Sequence, residues 1–204
     1  MGAGIEFWLK DFHRLYPDFL TVLAADQSGA VLHGGWLDKP FIDFDSFNVS
    51  EREYFRYAMG TGEHYVSNAF LGKGFGRDPI VAISAPVKDQ DGKPIGIVEG
   101  SLDLSVFAEY ASELIFLSES SYLILDENSR VIYSSNSIPY LESLATSELV
   151  KSAASHGQTF EYLEEPGIKS SGAIVSQSRL FNGWTVYVMV SVQEVNRHIT
   201  RQLQ

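Results

Sequence analysis

The sequence predicts an α+β protein in which an N-terminal helix is followed by two tandem lobes and a C-terminal helix. Each lobe is expected to contain a five-stranded antiparallel sheet with helices. Three observations support this: a strand–turn–strand pattern recurs 100 residues apart, each copy is followed by the same order of helix and strands, and both chain ends have helical spacing. The 204 residues are enough for two lobes of about 90 to 100 residues.

We expect four segments along the chain. The N-terminal helix would cover residues 1–20, the first lobe 21–113, the second lobe 114–192 and the C-terminal helix 193–204. The stretch "YASELIFLSESS" is interpreted as the link between the lobes. Both ends run directly into a helix, which suggests a piece of a longer protein.

The first helix is predicted from the stretch "IEFWLKDFHRLYPDF". Large apolar side chains recur there at helical spacing: Ile5, Trp8, Phe12 and Leu15. Pro17 marks the expected end of the helix. We expect this apolar stripe to cover the sheet faces that the helices of the lobes leave open.

The first lobe opens with residues 22–33, "VLAADQSGAVLH", in which apolar alternation surrounds a polar turn containing Asp26. This pattern predicts a β-hairpin. A helix, "SEREYFRYAMG", should follow, opened by a capping box of Ser50 and Glu53. Three strands come next, "HYVSNAFL", "PIVAISAPVKD" and "KPIGIVEGSLDL", and the turn "DQDG" joins the last two.

The second lobe repeats this order. Residues 122–133, "YLILDENSRVIY", predict a hairpin that turns at Asp126. The helix "YLESLATSELVKSAASHG" is followed by the strands "QTFEYLE", "SGAIVSQSRL" and "WTVYVMVSV", the last pair turning at "FNG". The final helix is predicted to begin with a capping box of Ser191 and Glu194.

The composition argues against several functions. The chain has 15 Lys and Arg against 26 Asp and Glu, a formal charge of −11, which disfavours nucleic acid as a partner. It has no cysteine, and its five histidines lack the spacing of a zinc site. No pairing of a nucleophile with a base is visible. We therefore expect no catalytic residue, no metal and no cofactor.

The stretch "FNVSEREYFRYAMGTGEHYVSN", residues 47–68, is the strongest candidate for a ligand site. It combines an arginine with aromatic rings around a predicted helix start. Free backbone amides and the helix dipole favour an anion there, and Arg52 can add a two-pronged grip on a carboxylate. A surface ion pair is the competing interpretation of Arg52, and core packing is the competing interpretation of Phe55.

Over nearly the whole chain, the sequence resembles the double Cache family of extracytoplasmic sensor domains. The resemblance rests on a serine, one residue, Arg52, one residue and Tyr54-Phe55, continuing into "HYVSN" and "IVAISAPVKDQDGKPIGIVEGSLDL". It implies a long first helix and two PAS-like lobes between two membrane spans of a histidine kinase, diguanylate cyclase or chemoreceptor. In such proteins the lobe farther from the membrane usually holds a small ligand. The resemblance implies that residues 21–113 form this membrane-distal lobe and residues 114–192 the membrane-proximal lobe, and that the C-terminal helix leads to a transmembrane span.

The resemblance implies that Arg52 binds a carboxylate, with Tyr54 and Phe55 at aromatic positions and Tyr65 on the strand wall. Further candidates are polar side chains on or beside the pocket strands: Ser67, Asn68, Asp78, Ser84, Ser101 and Asp103. Members that bind amino acids are expected to have acids where this chain has Asn68, or Ser67, and Ser101. A small carboxylate is therefore our first hypothesis, an amine held by Asp78 or Asp103 the second, and a pocket without ligand the third.

We therefore expect the periplasmic sensing region of an inner-membrane signalling protein, with flanking transmembrane helices and a possible homodimer through the N-terminal helix. The alternatives are a cytoplasmic PAS-like interaction module without ligand, and a small hydrolase. Apolar runs of roughly 20 residues on both sides of the segment would favour the sensor.

Overall fold

The computed structural model describes residues 2–36, 47–73, 76–113, 120–156, 159–162 and 172–202. The chain divides into two compact units, residues 1–103 and 104–204. Each unit contains one antiparallel sheet together with helices. The predicted α+β architecture and its duplication are therefore confirmed.

Helix α1 (Gly2–Leu15) packs on the first sheet through a different face from the predicted one. Leu9 is buried with Val22 and Ala24, and His13 is buried with its Nε2 hydrogen-bonded to the carbonyl of Phe19. Of the predicted stripe, Ile5 packs against this cluster, whereas three members are exposed: Trp8 (73%), Phe12 (40%) and Leu15 (64%). The stripe was wrong because side chains four residues apart, at positions 5, 9 and 13, face the sheet instead.

The first sheet contains strands β1 (Phe19–Asp26), β2 (Val31–Trp36), β3 (Tyr65–Val66), β4 (Phe70–Leu71), β5 (Pro79–Lys88) and β6 (Pro94–Asp103). Its order is β2-β1-β6-β5-β3, and β4 also pairs with β5. The predicted strand "HYVSNAFL" is thus split in two, which gives six described strands where we expected five. The Ser67 hydroxyl accepts a 2.9 Å bond from the amide of Ala82, so a side chain replaces a strand carbonyl at the break.

Helix α2 (Glu53–Thr61) lies on this sheet, where Phe55 and Ala58 join the core with Leu23, Ala82 and Ile97. The predicted capping box is wrong. The N-cap residue is Arg52, with φ −77° and ψ 139°, and it makes no side-chain capping bond. Ser50 lies in the preceding turn, where its amide donates a 2.8 Å bond to Asn48 Oδ1.

The second unit contains helix α3 (Val106–Glu113), strands β7 (Ser120–Leu125) and β8 (Val131–Ser134), helix α4 (Glu148–His156), strands β9 (Thr159–Tyr162), β10 (Ala173–Arg179) and β11 (Thr185–Ser191), and helix α5 (Val192–Gln202). The sheet order is β8-β7-β11-β10-β9, as in the first unit without β4. The Ser191 capping bond is confirmed, since its hydroxyl accepts from the Glu194 amide at 3.4 Å.

Two elements of the second unit differ from the prediction. Part of the expected link forms α3, while residues 114–119 lie outside the described part. The helix expected from Tyr140 begins only at Glu148, after an N-cap at Ser147. The residues before it bond to strand β8 instead, because the Val131 amide donates to the carbonyl of Glu142 at 2.9 Å.

The duplication extends to single hydrogen bonds. Asp26 Oδ1 accepts from the amides of Ser28 (2.8 Å) and Ala30 (3.1 Å). Asp126 Oδ1 accepts in the same way from Asn128 (2.8 Å) and Arg130 (2.9 Å). Both first strands have an irregular register just before this aspartate, at 24/25 and at 124/125. The two hairpins are therefore copies in geometry as well as in sequence.

Candidate functional site

A cleft lies in the first unit, between the start of α2 and the sheet face beneath it. It encloses about 470 Å³ of empty volume, which includes space open to solvent. The sheet contributes side chains at alternating positions, and α2 and the loop after β4 form the rest of the wall. The described residues that line it are Leu20, Thr21, Leu23, Phe47, Arg52, Tyr54, Phe70, Gly72, Lys73, Gly76, Asp78, Ile80, Glu99 and Ser101.

Arg52 enters this cleft from the N-cap of α2. Its Nη2 donates a 3.1 Å hydrogen bond to the carbonyl of Lys73, which ties the guanidinium to the loop on the opposite side. The guanidinium has further N–H donors, and a helix N-terminus is an electropositive environment. Arg52 and Lys73 are the two basic residues among the described residues that line the cleft.

Tyr54, in the first turn of α2, also lines the cleft and is 7% exposed. Its backbone carbonyl accepts a 3.0 Å bond from the buried Ser84 hydroxyl on β5. Burial, and secondly the nearby Glu99 carboxyl, raise the pKa of Tyr54, whereas Arg52 lowers it. The phenol therefore stays protonated and offers the cleft a neutral donor.

Glu99 is the most buried charged residue among those lining the cleft, at 4% exposed. It lies on β6, where its cross-strand neighbours are Leu23 on β1 and Ser84 on β5. The Ser101 hydroxyl donates a 2.8 Å bond to Glu99 Oε1. Burial raises the pKa of Glu99 to about 7, and the Ser101 bond acts in the opposite direction.

The structure brings four of the ten sequence-predicted site residues to the cleft: Arg52, Tyr54, Asp78 and Ser101. Asp78 is exposed, on the loop that connects β4 to β5, and its backbone carbonyl accepts from the Gly72 amide at 2.9 Å. Ser101 is 7% exposed and sits beside Thr21 across the sheet.

The other six predicted residues are placed outside the described lining of the cleft: Phe55, Tyr65, Ser67, Asn68, Ser84 and Asp103. Phe55 is 6% exposed and belongs to the core. The Tyr65 hydroxyl donates to Glu53 Oε1 at 2.8 Å, and its ring stacks on Tyr57 at 4.5 Å. Ser67 and Ser84 bond to backbone groups, which explains their burial without a ligand.

Sequence reasoning missed Glu99 and Lys73. The signal for Glu99 was available, because residues two apart on a strand share a face, and Ser101 was already a candidate. Asp103 shares that parity as well, but it lies at the last position of β6, opposite Ile80. No comparable signal singled out Lys73, whose position depends on the course of the loop.

The two units repeat one PAS-like fold, and the first has a cleft beside α2 that is lined by both apolar and charged residues. Consistent with this, the Cache domain family profile matches residues 6–199. The chain therefore belongs to the Cache family, whose domains are ligand-binding sensors and not catalysts. No curated protein is similar enough to match the chain.

Several solved structures have the same fold. The extracellular domain of a protein described as a histidine kinase is 18% identical, with a TM-score of 0.70, over 94% of this chain and 78% of that one. The ligand-binding domain of the Campylobacter jejuni chemoreceptor Tlp3, in complex with 4-methylisoleucine, is 16% identical, with a TM-score of 0.71, over 95% and 73%. That of the Pseudomonas aeruginosa PAO1 amino acid chemoreceptor PctB, in complex with L-Arg, is 16% identical, with a TM-score of 0.66, over 92% and 72%.

Within the described ranges, no helix is both long enough and apolar enough to cross a membrane.

Proposed function

We propose that this chain is the extracytoplasmic sensing region of a membrane-bound signalling protein, and that its first unit, the membrane-distal lobe, binds a small carboxylate. The observation that carries the proposal is Arg52, an arginine at a helix N-terminus on the wall of a partly open cleft. Lys73, whose carbonyl accepts from Arg52, is a second basic residue in the lining, and Tyr54 adds a neutral donor. This arrangement suits a ligand with one anionic end.

The output module belongs to the same proposal. The structural neighbours include a domain of a protein described as a histidine kinase and domains of chemoreceptors, which supports a kinase or chemoreceptor module in the same polypeptide. A diguanylate cyclase is the third module that the sequence resemblance implies. Ligand binding can shift such a protein between two states only through a difference in its affinity for them. Genomic sequence with apolar runs of about 20 residues on both sides of the segment would support the membrane location.

A thermal-shift screen tests the ligand proposal. Small carboxylates, amino acids, amines and purines are added to the wild type, to Arg52→Ala and to Arg56→Ala. Arg56 is the matched control because it lies on α2, is exposed and is not among the cleft-lining residues. We expect a carboxylate to raise the unfolding temperature of the wild type and of Arg56→Ala but much less that of Arg52→Ala. A hit that stabilises all three proteins equally would place the ligand elsewhere.

A homodimer formed through α1 is the second part of the proposal. Phe7, Trp8, Phe12 and Leu15 expose 40 to 73% of their surface on this helix, an apolar area of the kind that marks interaction sites. Trp8→Asp should shift the protein towards the monomer in sedimentation velocity, whereas Tyr110→Asp, at an exposed aromatic in the second unit, should not. A wild type that is monomeric at high concentration would contradict this part.

A further inference from the structure

Strand β1 carries a β-bulge beside the cleft. Phe19 pairs with Leu102 of β6. Thr21 pairs with Ser101, the residue just before Leu102, so that Leu20 is an extra residue on β1. Because side chains alternate between the two faces of a strand, one extra residue reverses the faces of the residues before it. Bulges of this kind are common beside functional sites, where they redirect a side chain.

The reversal is visible in what each residue of β1 contacts. After the bulge, Thr21 and Leu23 line the cleft, whereas Val22 belongs to the buried cluster beneath α1. A regular strand would continue this alternation, with Phe19 on the cleft face and Leu20 beneath α1. Instead, Phe19 packs against the cluster beneath α1 and Leu20 lines the cleft. The bulge therefore brings two consecutive residues, 20 and 21, to the cleft.

Helix α1 holds the residue that comes just before the bulge. The ring centroids of Phe19 and Phe12 of α1 lie 5.6 Å apart. The backbone carbonyl of Phe19 accepts a hydrogen bond from Nε2 of His13, also on α1. On the sheet, a Cβ at Gly100 would lie 2.5 Å from Cδ1 of Phe19, so a glycine leaves room for this ring. Phe19 is thus fixed between α1 and β6.

His13 is an unusual residue for its surroundings. It is 1% exposed and faces the sheet on the same side of α1 as the buried Leu9. Its Nδ1 is buried and has no hydrogen-bond partner in the described part of the chain. A buried polar atom without a partner is costly, and an apolar side chain of similar size would fill the same space. The property that such a side chain lacks is the hydrogen bond to the carbonyl of Phe19.

We propose that His13 is a positioning residue for the cleft: by holding the carbonyl of Phe19, it fixes the bulge that brings residues 20 and 21 to the ligand. The proposal rests on the proposed function, since the ligand is the carboxylate that binds beside Arg52. His13 is not among the described residues that line the cleft, so it acts through the bulge.

This arrangement links α1 to the cleft in both directions. Loss of the hydrogen bond from His13 frees the bulge and weakens ligand binding. Conversely, a bound ligand that fixes residues 20 and 21 also fixes Phe19, and through it the end of α1, because coupling between two sites is reciprocal. Only three residues, 16–18, connect α1 to β1, so a shift of the helix reaches the bulge directly.

Three variants separate this role from the general packing of α1. His13→Leu removes the donor but fills the space, and His13→Gln retains a donor near the position of Nε2. Leu9→Ala loosens the packing of α1 on the sheet but keeps the hydrogen bond. Thermal unfolding verifies that each variant folds.

Hydrogen exchange of backbone amides tests the bulge without any ligand. We expect exchange at residues 19–21 to be about 2- to 10-fold faster in His13→Leu than in the wild type and in His13→Gln. Unchanged exchange at these residues in His13→Leu would overturn the role of His13, whatever the protein binds.

Calorimetric titration then tests the effect on binding, with acetate, pyruvate, L-lactate and L-alanine as probes. For the probe that binds the wild type best, we expect His13→Leu to bind about 2- to 10-fold more weakly. His13→Gln and Leu9→Ala should stay within about twofold of the wild type. A saturating concentration of that probe should slow amide exchange in α1 of the wild type and much less in His13→Leu.

The outcomes distinguish this role from the proposed function. If His13→Leu binds as tightly as the wild type while Arg52→Ala does not, the positioning role is overturned and the proposed function stands. An equal loss of affinity in Leu9→Ala and His13→Leu would also overturn it, because general loosening of α1 would explain both. If no probe binds the wild type, the proposed carboxylate site fails, and the role of His13 in binding fails with it.

Discussion

The Ser101 hydroxyl donates a 2.8 Å hydrogen bond to Oε1 of Glu99, and both side chains are more than nine-tenths buried on the cleft wall. Burial favours the neutral carboxyl and the hydroxyl donor favours the ionised one. This opposition brings the pKa of Glu99 to about 7. We therefore expect this side chain to make the stability of the first unit depend on pH.

Glu99→Gln should change how stability depends on pH. Burial raises the pKa of Glu99 to about 7 in the folded protein, above the ordinary value of 4.5, so the native state binds more protons than the unfolded state between these pH values. The wild type therefore loses unfolding free energy as pH rises through this window, by up to about 3 kcal/mol from this group. The variant lacks this loss, so its stability relative to the wild type should improve between about pH 4.5 and pH 8.

Urea denaturation at several pH values measures this difference. Glu63→Gln is the control, because it replaces an acid by the same amide at a position where the carboxyl is exposed. Parallel pH profiles for the wild type and Glu99→Gln would show that Glu99 is ionised in the folded protein at a normal pH, contrary to its burial.

The repeated turn aspartates should contribute similarly to the two units. Asp26→Ala and Asp126→Ala each remove an acceptor of two backbone amides. Leaving such donors without a partner should cost about 1 to 3 kcal/mol at each site. Asp91→Ala, in the exposed turn between β5 and β6, is the control, because there Asp89 is the acceptor. Urea denaturation that shows a loss at only one of the two sites would contradict their equivalence.

Two glycines in turns provide a matched test of close packing. Gly29 and Gly92 both have φ of +81°, so alanine is strained by about 1 to 2 kcal/mol at either position. A Cβ at Gly29 would lie 2.5 Å from the backbone nitrogen of Ser50, whereas nothing lies within 4 Å of one at Gly92. Gly29→Ala should therefore be more destabilising than Gly92→Ala by a further ~1–3 kcal/mol. Equal unfolding midpoints would show that the segment around Ser50 yields freely.

Local patterns in the sequence predicted most of the fold. Alternating apolar residues and turn residues located β1, β2, β5, β6 and their counterparts, because a strand with one buried face imposes that period. The prediction of which face of α1 packs on the sheet was wrong, since Trp8 and Phe12 are large and apolar but exposed. Which stripe of a helix is covered depends on tertiary packing, and the helical period alone does not decide it.

The candidate site was predictable in part. Arg52 stood out because an arginine near a helix start has a direct chemical use, and the structure places it on the cleft. Tyr65 and Ser84 looked equally suitable, yet they bond to Glu53 and to the Tyr54 carbonyl. Such local partners decide between a ligand contact and a structural bond, and they depend on strand register. Strand parity could have identified Glu99, which lies two residues before Ser101.

The central claim is that Arg52 binds the carboxylate of a ligand in the first unit. Calorimetric titration of the best carboxylate from the thermal-shift screen into the wild type, Arg52→Ala and Arg56→Ala measures it directly. Removing one charged hydrogen-bond partner should cost about 1.5 to 3 kcal/mol, a loss of roughly 10- to 150-fold in affinity for Arg52→Ala, with Arg56→Ala unchanged. Equal dissociation constants for the wild type and Arg52→Ala would contradict the account.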